Sequence, residues 1–269
     1  MEGEKNSVLP DIITPISNAM HQNLPETEGQ IDGVLSTVVG LFNNVVLYPV
    51  KKANMTFRYK LENFAEDLAN KTAQIPAENL QVPPTMLIGP ILEALRYAYD
   101  EEELREMFEN LLASAMDSRK VSRAHPSFVD AITQMSSLDA KVLKKVVQER
   151  SLSLSHVVFE SPDGQGYYPN AMPYYFRQDM VALGDPFMVS MAISNLMRLG
   201  LLKSKVIFFS DEDVTQIKKT DFVRQRYGKF TEDNVKIHVD REGIRVTLDN
   251  YGYSFAQTCI GMEENKDAD

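Results

Sequence analysis

Hydrophobic residues at helical spacing dominate the stretch 83–138 of this chain. Six of them recur at steps of three, one, three, one and three, which places them on one side of a helix. They are Leu104, Met107, Phe108, Leu111, Leu112 and Ala115. We expect the polar residues between them to face mostly outward: Glu102, Glu103, Arg105, Glu106, Glu109 and Asn110. The pattern predicts an amphipathic helix over 100–117.

A capping box is predicted at the start of this helix. The Asp100 side chain would accept an N–H of the first turn, and Glu103 would reach back to the N–H of Asp100. The acidic run 100–103 is then explained by capping and by the positive end of the helix dipole, rather than by a metal. Upstream, Gly89 and Pro90 lie within a helix predicted over 86–99.

The His125-Pro126 pair marks the start of another helix, with Pro126 at the first helical position, where no N–H donor is needed. Two interpretations of His125 stay open: a cap for the first turn, or a contact for a ligand or partner. Arg119 and Arg123 precede it in a small basic loop, which is too short and too poor in aromatic residues to indicate nucleic-acid binding. His125, Arg119 and Arg123 are therefore candidate contact residues.

Further helices are predicted over 31–50 and 49–74, and Ser136 with Asp139 starts another helix. After residue 150 the pattern becomes mixed. It predicts a hairpin over 156–168, a helix over 186–199 and a strand over 206–209. A second hairpin would pair 235–239 with 244–248, and Phe255 and Cys259 indicate a closing helix.

The predicted fold is mainly α, with an N-terminal helical bundle followed by a small α+β winged-helix-like domain. The expected organisation is a flexible leader over 1–30, the bundle over 31–150, the winged-helix-like domain with two hairpins over 151–262, and an acidic tail over 263–269. This outline rests on two patterns. Segments with alternating apolar and polar residues flank turn residues, and the helices around them have clear start and stop signals.

Composition indicates a cytoplasmic protein. Its 269 residues carry a net charge of −10, which argues against broad binding to nucleic acid or anionic lipid. A single cysteine, Cys259, fits a reducing compartment, and no N-terminal signal peptide is evident. The apolar run 31–50 is interrupted by Asp32 and closed by Pro49, so a buried helix is favoured and peripheral membrane contact stays open.

No catalytic constellation is visible in the sequence. The four histidines have no partner at metal-ligand spacing, and no phosphate-binding glycine loop or nucleophile elbow occurs. Cys259 is expected to be a buried structural thiol. We therefore predict no catalytic residue, no metal and no cofactor, hence a protein that is not an enzyme. The helix over 186–199 offers one cation, Arg198, which favours protein interaction over DNA binding.

A series of short motifs over about 35–205 resembles the abortive-infection alpha family (Abi-alpha). They are Leu47-Tyr48-Pro49, Pro83-Pro84, Gly89-Pro90, Leu92-Glu93-Ala94-Leu95, Glu102–Phe108, Ala115-Met116-Asp117, His125–Phe128, Leu138-Asp139-Ala140 and Asn195–Leu202. The resemblance implies a bacterial phage-defence protein, and it brings no established catalytic residues.

The function predicted on this basis is defence through a protein partner from phage or host, and a homo-oligomer stays open. Two alternatives stay open. One is a membrane-acting effector that uses the run 31–50, and the other is a winged-helix regulator that binds DNA.

Overall fold

The computed structural model describes residues 28–47, 54–168, 170–230 and 235–263. The protein is mainly α with small antiparallel sheets, as predicted. The predicted acidic tail lies outside the described residues except for Glu263, and the predicted leader does so except for residues 28–30, which already belong to a helix. No helix in the described ranges is both long and apolar enough to cross a membrane.

The chain divides into two compact units. The first contains Met1–Gln134 together with Gln257–Asp269, and the second contains Met135–Ala256. The division falls before the helix that starts at Ser137, whereas the sequence analysis expected the boundary after it, at residue 150. The reason is that this helix packs on elements of the second unit.

The first unit is a bundle of five helices among its described residues. They are α1 (Glu28–Phe42), α2 (Asn54–Thr72), α3 (Thr85–Ala98), α4 (Glu102–Met116) and α5 (Ser127–Thr133). Asn43–Leu47 continues α1 as a π-helical turn. Gly89 and Pro90 lie within α3 and are exposed. Pro90 has no N–H, so the carbonyl four residues before it has no helical donor, and this carbonyl lies on the solvent side of the helix.

Helix α4 is the centre of the first unit, because α2, α3 and α5 all pack against it. All six apolar residues predicted for its inner face are buried, which confirms the periodicity. Phe42 of α1 stacks on Phe64 of α2 nearby, with ring centroids 3.8 Å apart. One prediction for α4 is wrong: Glu109, expected to face outward, is 2% exposed. Neighbours on several sides leave little of this helix in water.

The capping box predicted at Asp100 and Glu103 is also wrong. Helix α4 begins at Glu102, so Glu101 occupies the N-cap position and its side chain makes no capping hydrogen bond. The Asp100 carboxylate instead pairs with the Lys60 ammonium of α2 at 2.6 Å. The local pattern predicted that the Asp100 side chain would cap the helix, but in the folded protein this side chain forms an ion pair with Lys60.

The second unit contains five helices and five strands among its described residues. The helices are α6 (Ser137–Glu149), α7 (Pro186–Arg198), α8 (Asp211–Lys219), α9 (Asp221–Tyr227) and α10 (Asn250–Phe255). The strands are β1 (Leu152–Leu154), β2 (Val157–Glu160), β3 (Leu202–Phe208), β4 (Lys236–Val239) and β5 (Glu242–Leu248).

Local end signals predicted for two of these helices are confirmed. Ser136 and Asp139 form the reciprocal capping box of α6. Asp185 caps α7 by accepting the N–H of Phe187, and Pro186 occupies the first turn. Gly200 follows with a φ of +73°, a left-handed conformation that glycine adopts without the steric cost of a Cβ.

The strands form two antiparallel sheets with orders β1-β5-β3 and β2-β4. In the first, Val246 lies between Leu152 and Ser204. In the second, Val157 pairs with Val239. The two-stranded sheet contributes Phe159 to a hydrophobic core. This core also contains residues of α9 and of the loop before α7: Ala171, Met172, Phe176 and Val223.

The second predicted hairpin is wrong. Strands β4 and β5 are adjacent in sequence but belong to different sheets. The N–H of Asp240 donates to the carbonyl of His156 at 3.1 Å, so the chain crosses between the sheets at this turn. The first predicted hairpin is reduced to an isolated bridge between Glu160 and Tyr167, because β2 pairs mainly with β4.

From Pro186 onward the described helices and strands follow the order α7, β3, α8, α9, β4, β5 and α10. Two helices and β4 are inserted between β3 and β5. The winged-helix assignment stays a prediction.

The α6 capping box provides a test of local stability. Replacing Ser136 with alanine removes the acceptor of the Asp139 N–H, and we expect a loss of about 1 kcal/mol in the free energy of unfolding. Urea denaturation followed by circular dichroism measures it. Ser204→Ala on exposed β3 is the control, with a change within about 0.5 kcal/mol. Equal stability of the two variants would contradict a capping role.

Candidate functional site

His125 serves as a local cap in the structure. Its Nδ1 accepts the backbone N–H of Ser127 at 3.2 Å and lies 2.7 Å from the Ser127 hydroxyl. Pro126 occupies the N-cap position of α5, one residue before the predicted one. The imidazole is exposed, and it also makes these hydrogen bonds to Ser127. A role of His125 in ligand or partner contact stays a prediction.

The other two candidates do not join His125. The Arg119 guanidinium makes a two-pronged contact with buried Asp117, at 2.8 Å from Nε to Oδ1 and 2.7 Å from Nη2 to Oδ2. These bonds hold the pKa of Asp117 below its usual range. Arg123 is exposed on the following 3₁₀ turn. Arg119 lines a polar cavity to which neither His125 nor Arg123 contributes.

A second site lies in the second unit, and we call it the aromatic groove. It encloses about 500 Å³. It is lined by Leu154, His156, Tyr174, Tyr175, Phe208, Asp240, Arg241, Glu242, Gly243 and Ile244. Tyr174 is 62% exposed and Phe208 is 76% exposed, so two large rings at the groove remain in contact with water.

A carboxylate shared by two imidazoles lies at this groove. Asp240 Oδ2 is 2.6 Å from His156 Nδ1, and Asp240 Oδ1 is 3.0 Å from His238 Nε2. The His156 ring also packs on Tyr174, with centroids 4.7 Å apart. Because one carboxylate fixes both rings, the opposite nitrogen of each imidazole is held in a defined direction for a further hydrogen bond.

Backbone hydrogen bonds position the groove residues. Ser155 exchanges two backbone hydrogen bonds with Phe176, both at 2.9 Å, which anchors the loop that carries Tyr174. The N–H of Tyr175 donates to the Ser190 hydroxyl of α7 at 3.0 Å. The N–H of Phe209 donates to the carbonyl of Arg241 at 2.8 Å. The loop and the β4–β5 turn are thus tied to the sheets.

This site was not predicted from the sequence. His156 and His238 have no partner at metal-ligand spacing, and the carboxylate that binds His156, Asp240, is 84 residues away in sequence. The one local signal was the closeness of His238, which is exposed on β4, to Asp240 two residues later. Within the described ranges, no group of three His, Cys, Asp or Glu side chains could hold a metal ion.

Cys259 is buried, as predicted, in the π-helical segment Ala256–Ile260. Burial raises the pKa of its thiol well above the usual value, so the group stays protonated at neutral pH. It is a buried core residue.

The sequence profile of a family described as Abortive infection alpha matches residues 56–259. The chain therefore belongs to the abortive infection alpha family. No curated protein and no solved structure matches the chain. The matched region contains both units' main elements, including the aromatic groove and the loop that carries His125.

Proposed function

We propose that this protein acts in abortive infection, in the cytoplasm, by binding a phage-encoded or host protein at the aromatic groove. Its family supplies the phage-defence context. The observation that carries the binding proposal is the exposure of Tyr174 and Phe208 beside a concave surface. Aromatic side chains in such positions are typical anchors of protein interfaces.

The groove favours a partner with an extended segment. Strand β3 pairs only with β5 among the described strands, so its other edge offers backbone N–H and C=O groups. Val206 and Phe208 are two residues apart on β3, and both are exposed. A strand added at this edge would place an apolar side chain against Phe208, while the Glu242 carboxylate binds a polar flank.

Helix α7 supports a protein partner over DNA. Its exposed residues include Met188, Met191, Ser194 and Arg198, of which one is a cation. The Arg198 guanidinium already donates to Asn195 Oδ1 at 3.0 and 2.8 Å. Binding to the phosphate backbone needs several free Lys or Arg side chains. The thioethers of this face are instead typical of surfaces that adapt to protein partners.

The test is a phage challenge of a sensitive host that expresses the protein. We expect the double variant Tyr174→Ala/Phe208→Ala to lose most of the reduction in plaque number that the native protein gives. Tyr97→Ala is the matched control, since Tyr97 is 78% exposed and belongs to the first unit. All three rings lie mostly in water, so their removal leaves folding intact, which circular dichroism verifies.

Crosslinking separates partner binding from other causes of lost defence. A photo-reactive amino acid at position 208 should give an infection-dependent adduct with one protein, and the same probe at position 97 should not. Full defence by the double variant, or the same adducts from both positions, would contradict the proposal.

The shared carboxylate favours one second candidate, acid–base catalysis. A carboxylate that orients an imidazole is the arrangement used by general bases. Catalysis predicts that His156→Asn abolishes defence while the Tyr174→Ala/Phe208→Ala variant retains part of it. The binding proposal predicts the reverse order, so the same plaque assay distinguishes the two functions.

A further inference from the structure

The polar cavity of the first unit is distinct from the aromatic groove. It encloses about 320 Å³ near the C-terminal ends of α2 and α4. Three cationic side chains line it: Lys71, Arg119 and Lys120. Among the residues that the structure describes, its single carboxylate belongs to Asp117. The cavity is thus cationic in a chain whose net charge is −10.

The charges of this cavity are arranged in a fixed way. Both oxygens of Asp117, which is 1% exposed, accept from the Arg119 guanidinium, so this carboxylate is held in an ion pair. The Lys71 ammonium donates to Asn110 Oδ1 at 2.7 Å, and this bond holds it at the cavity wall. Lys120 is exposed at the rim. The C-terminal ends of the two helices offset only part of this positive charge.

The remaining wall is polar and rigidly attached. Asn110 Nδ2 donates to the carbonyl of Cys259 at 2.9 Å, and the Ser114 hydroxyl donates to the carbonyl of Thr258 at 3.3 Å. Both acceptors belong to the π-helical segment Ala256–Ile260, where local departures from α geometry frequently accompany binding sites. Gln257 of this segment also lines the cavity.

We propose that the polar cavity binds a small phosphorylated molecule of mononucleotide size. Lys71 and Lys120 would hold the phosphate, because an ammonium is a strong partner for phosphate oxygens. Gln257 presents an amide group that can both donate to and accept from a sugar or base. A volume near 320 Å³ lies at the lower end of ligand pockets, which suits one nucleotide.

Calorimetric titration of the full chain tests this proposal with AMP, inorganic pyrophosphate and uncharged adenosine. We expect AMP to bind and adenosine to bind much more weakly, because the phosphate supplies the ionic contacts. Binding of AMP should weaken as salt is raised from 50 to 300 mM, values chosen to span roughly a twofold change in screening length.

Lys120→Glu should weaken AMP binding about tenfold or more, since one charge-assisted contact is replaced by repulsion. Lys229→Glu makes the same charge change on an exposed residue of the second unit and should leave the affinity unchanged. Equal binding of AMP and adenosine, equal loss in both variants, or no binding of either phosphate compound would overturn the proposal. None of these outcomes depends on the aromatic groove, so the partner-binding proposal is tested separately.

Discussion

Replacing Glu109 with glutamine is expected to raise the free energy of unfolding at pH 8 by up to about 3 kcal/mol. Glu109 lies in the core of the first unit, 2% exposed, and its Oε1 has no hydrogen-bond partner among the described residues. The Arg105 guanidinium is 3.7 Å away, too far for a hydrogen bond. A buried carboxylate with so little compensation is costly when charged.

The pH dependence of this effect has a defined sign. Burial raises the pKa of Glu109 to about 7 from an ordinary 4.5, with a further increase from Asp67 and Glu106, while Lys71 and Arg105 act in the opposite direction. Between these two pH values the folded state binds more protons than the unfolded state. The contribution of Glu109 to stability therefore falls as pH rises from about 4.5 to 7 and is constant above.

Urea denaturation of the native protein and the variant at pH 5 and pH 8 isolates this group, because other titrating groups are common to both. The difference in free energy of unfolding should be small at pH 5 and large at pH 8. Glu102→Gln on the exposed first turn of α4 is the control, with a change within about 0.5 kcal/mol at either pH. If Glu109→Gln is no more stable than the native protein at pH 8, the protein already offsets the cost of burying the charged Glu109 carboxylate, which would contradict the prediction.

Gly252→Ala is expected to destabilise the protein by about 3 kcal/mol or more. A Cβ at this position of α10 would overlap the carbonyl oxygen of Leu201 and lie 2.7 Å from its carbonyl carbon. The same oxygen accepts the N–H of Asp249 at 3.0 Å, and Leu201 is fully buried. Relief of the clash therefore requires the movement of one backbone segment and the loss of this hydrogen bond.

Gly33→Ala is the matched control for this substitution. Gly33 also lies in a helix, α1, but apart from its chain neighbours and the backbone of that helix no atom lies within 4 Å of the position that a Cβ would take, and the side chain would face water. We expect the control to raise the stability by up to about 1 kcal/mol, because alanine has the higher helix propensity. Urea denaturation measures both variants. A loss below about 1 kcal/mol for Gly252→Ala would show that α10 can move away from Leu201.

Interactions that act within four residues were predicted well. The six apolar residues of α4 are buried, the Ser136–Asp139 capping box is formed, and α7 begins at Asp185-Pro186 and ends before Gly200. Helical periodicity and caps depend on side chains that are adjacent on one turn of the chain. The buried face and the ends of a helix can therefore be predicted from the sequence, as long as no residue from a distant part of the chain binds the same side chain.

Asp100 illustrates the competing case. Its local pattern predicts a cap, but Lys60 lies 2.6 Å away in the folded protein and binds the carboxylate instead. The strand pairings failed for a related reason. Alternation along 235–239 and 244–248 identifies strands but not their partners, and β4 and β5 pair with strands from distant parts of the chain.

By itself, the sequence determined that the protein is mainly α, where α6 and α7 begin, and that its motifs resemble the abortive infection alpha family. Only the tertiary structure decided that Glu109 is buried, that Asp240 joins His156 to His238, and that Arg119 lines a cavity apart from His125. The former depend on local spacing. The latter depend on contacts between residues far apart in sequence, which no local pattern encodes.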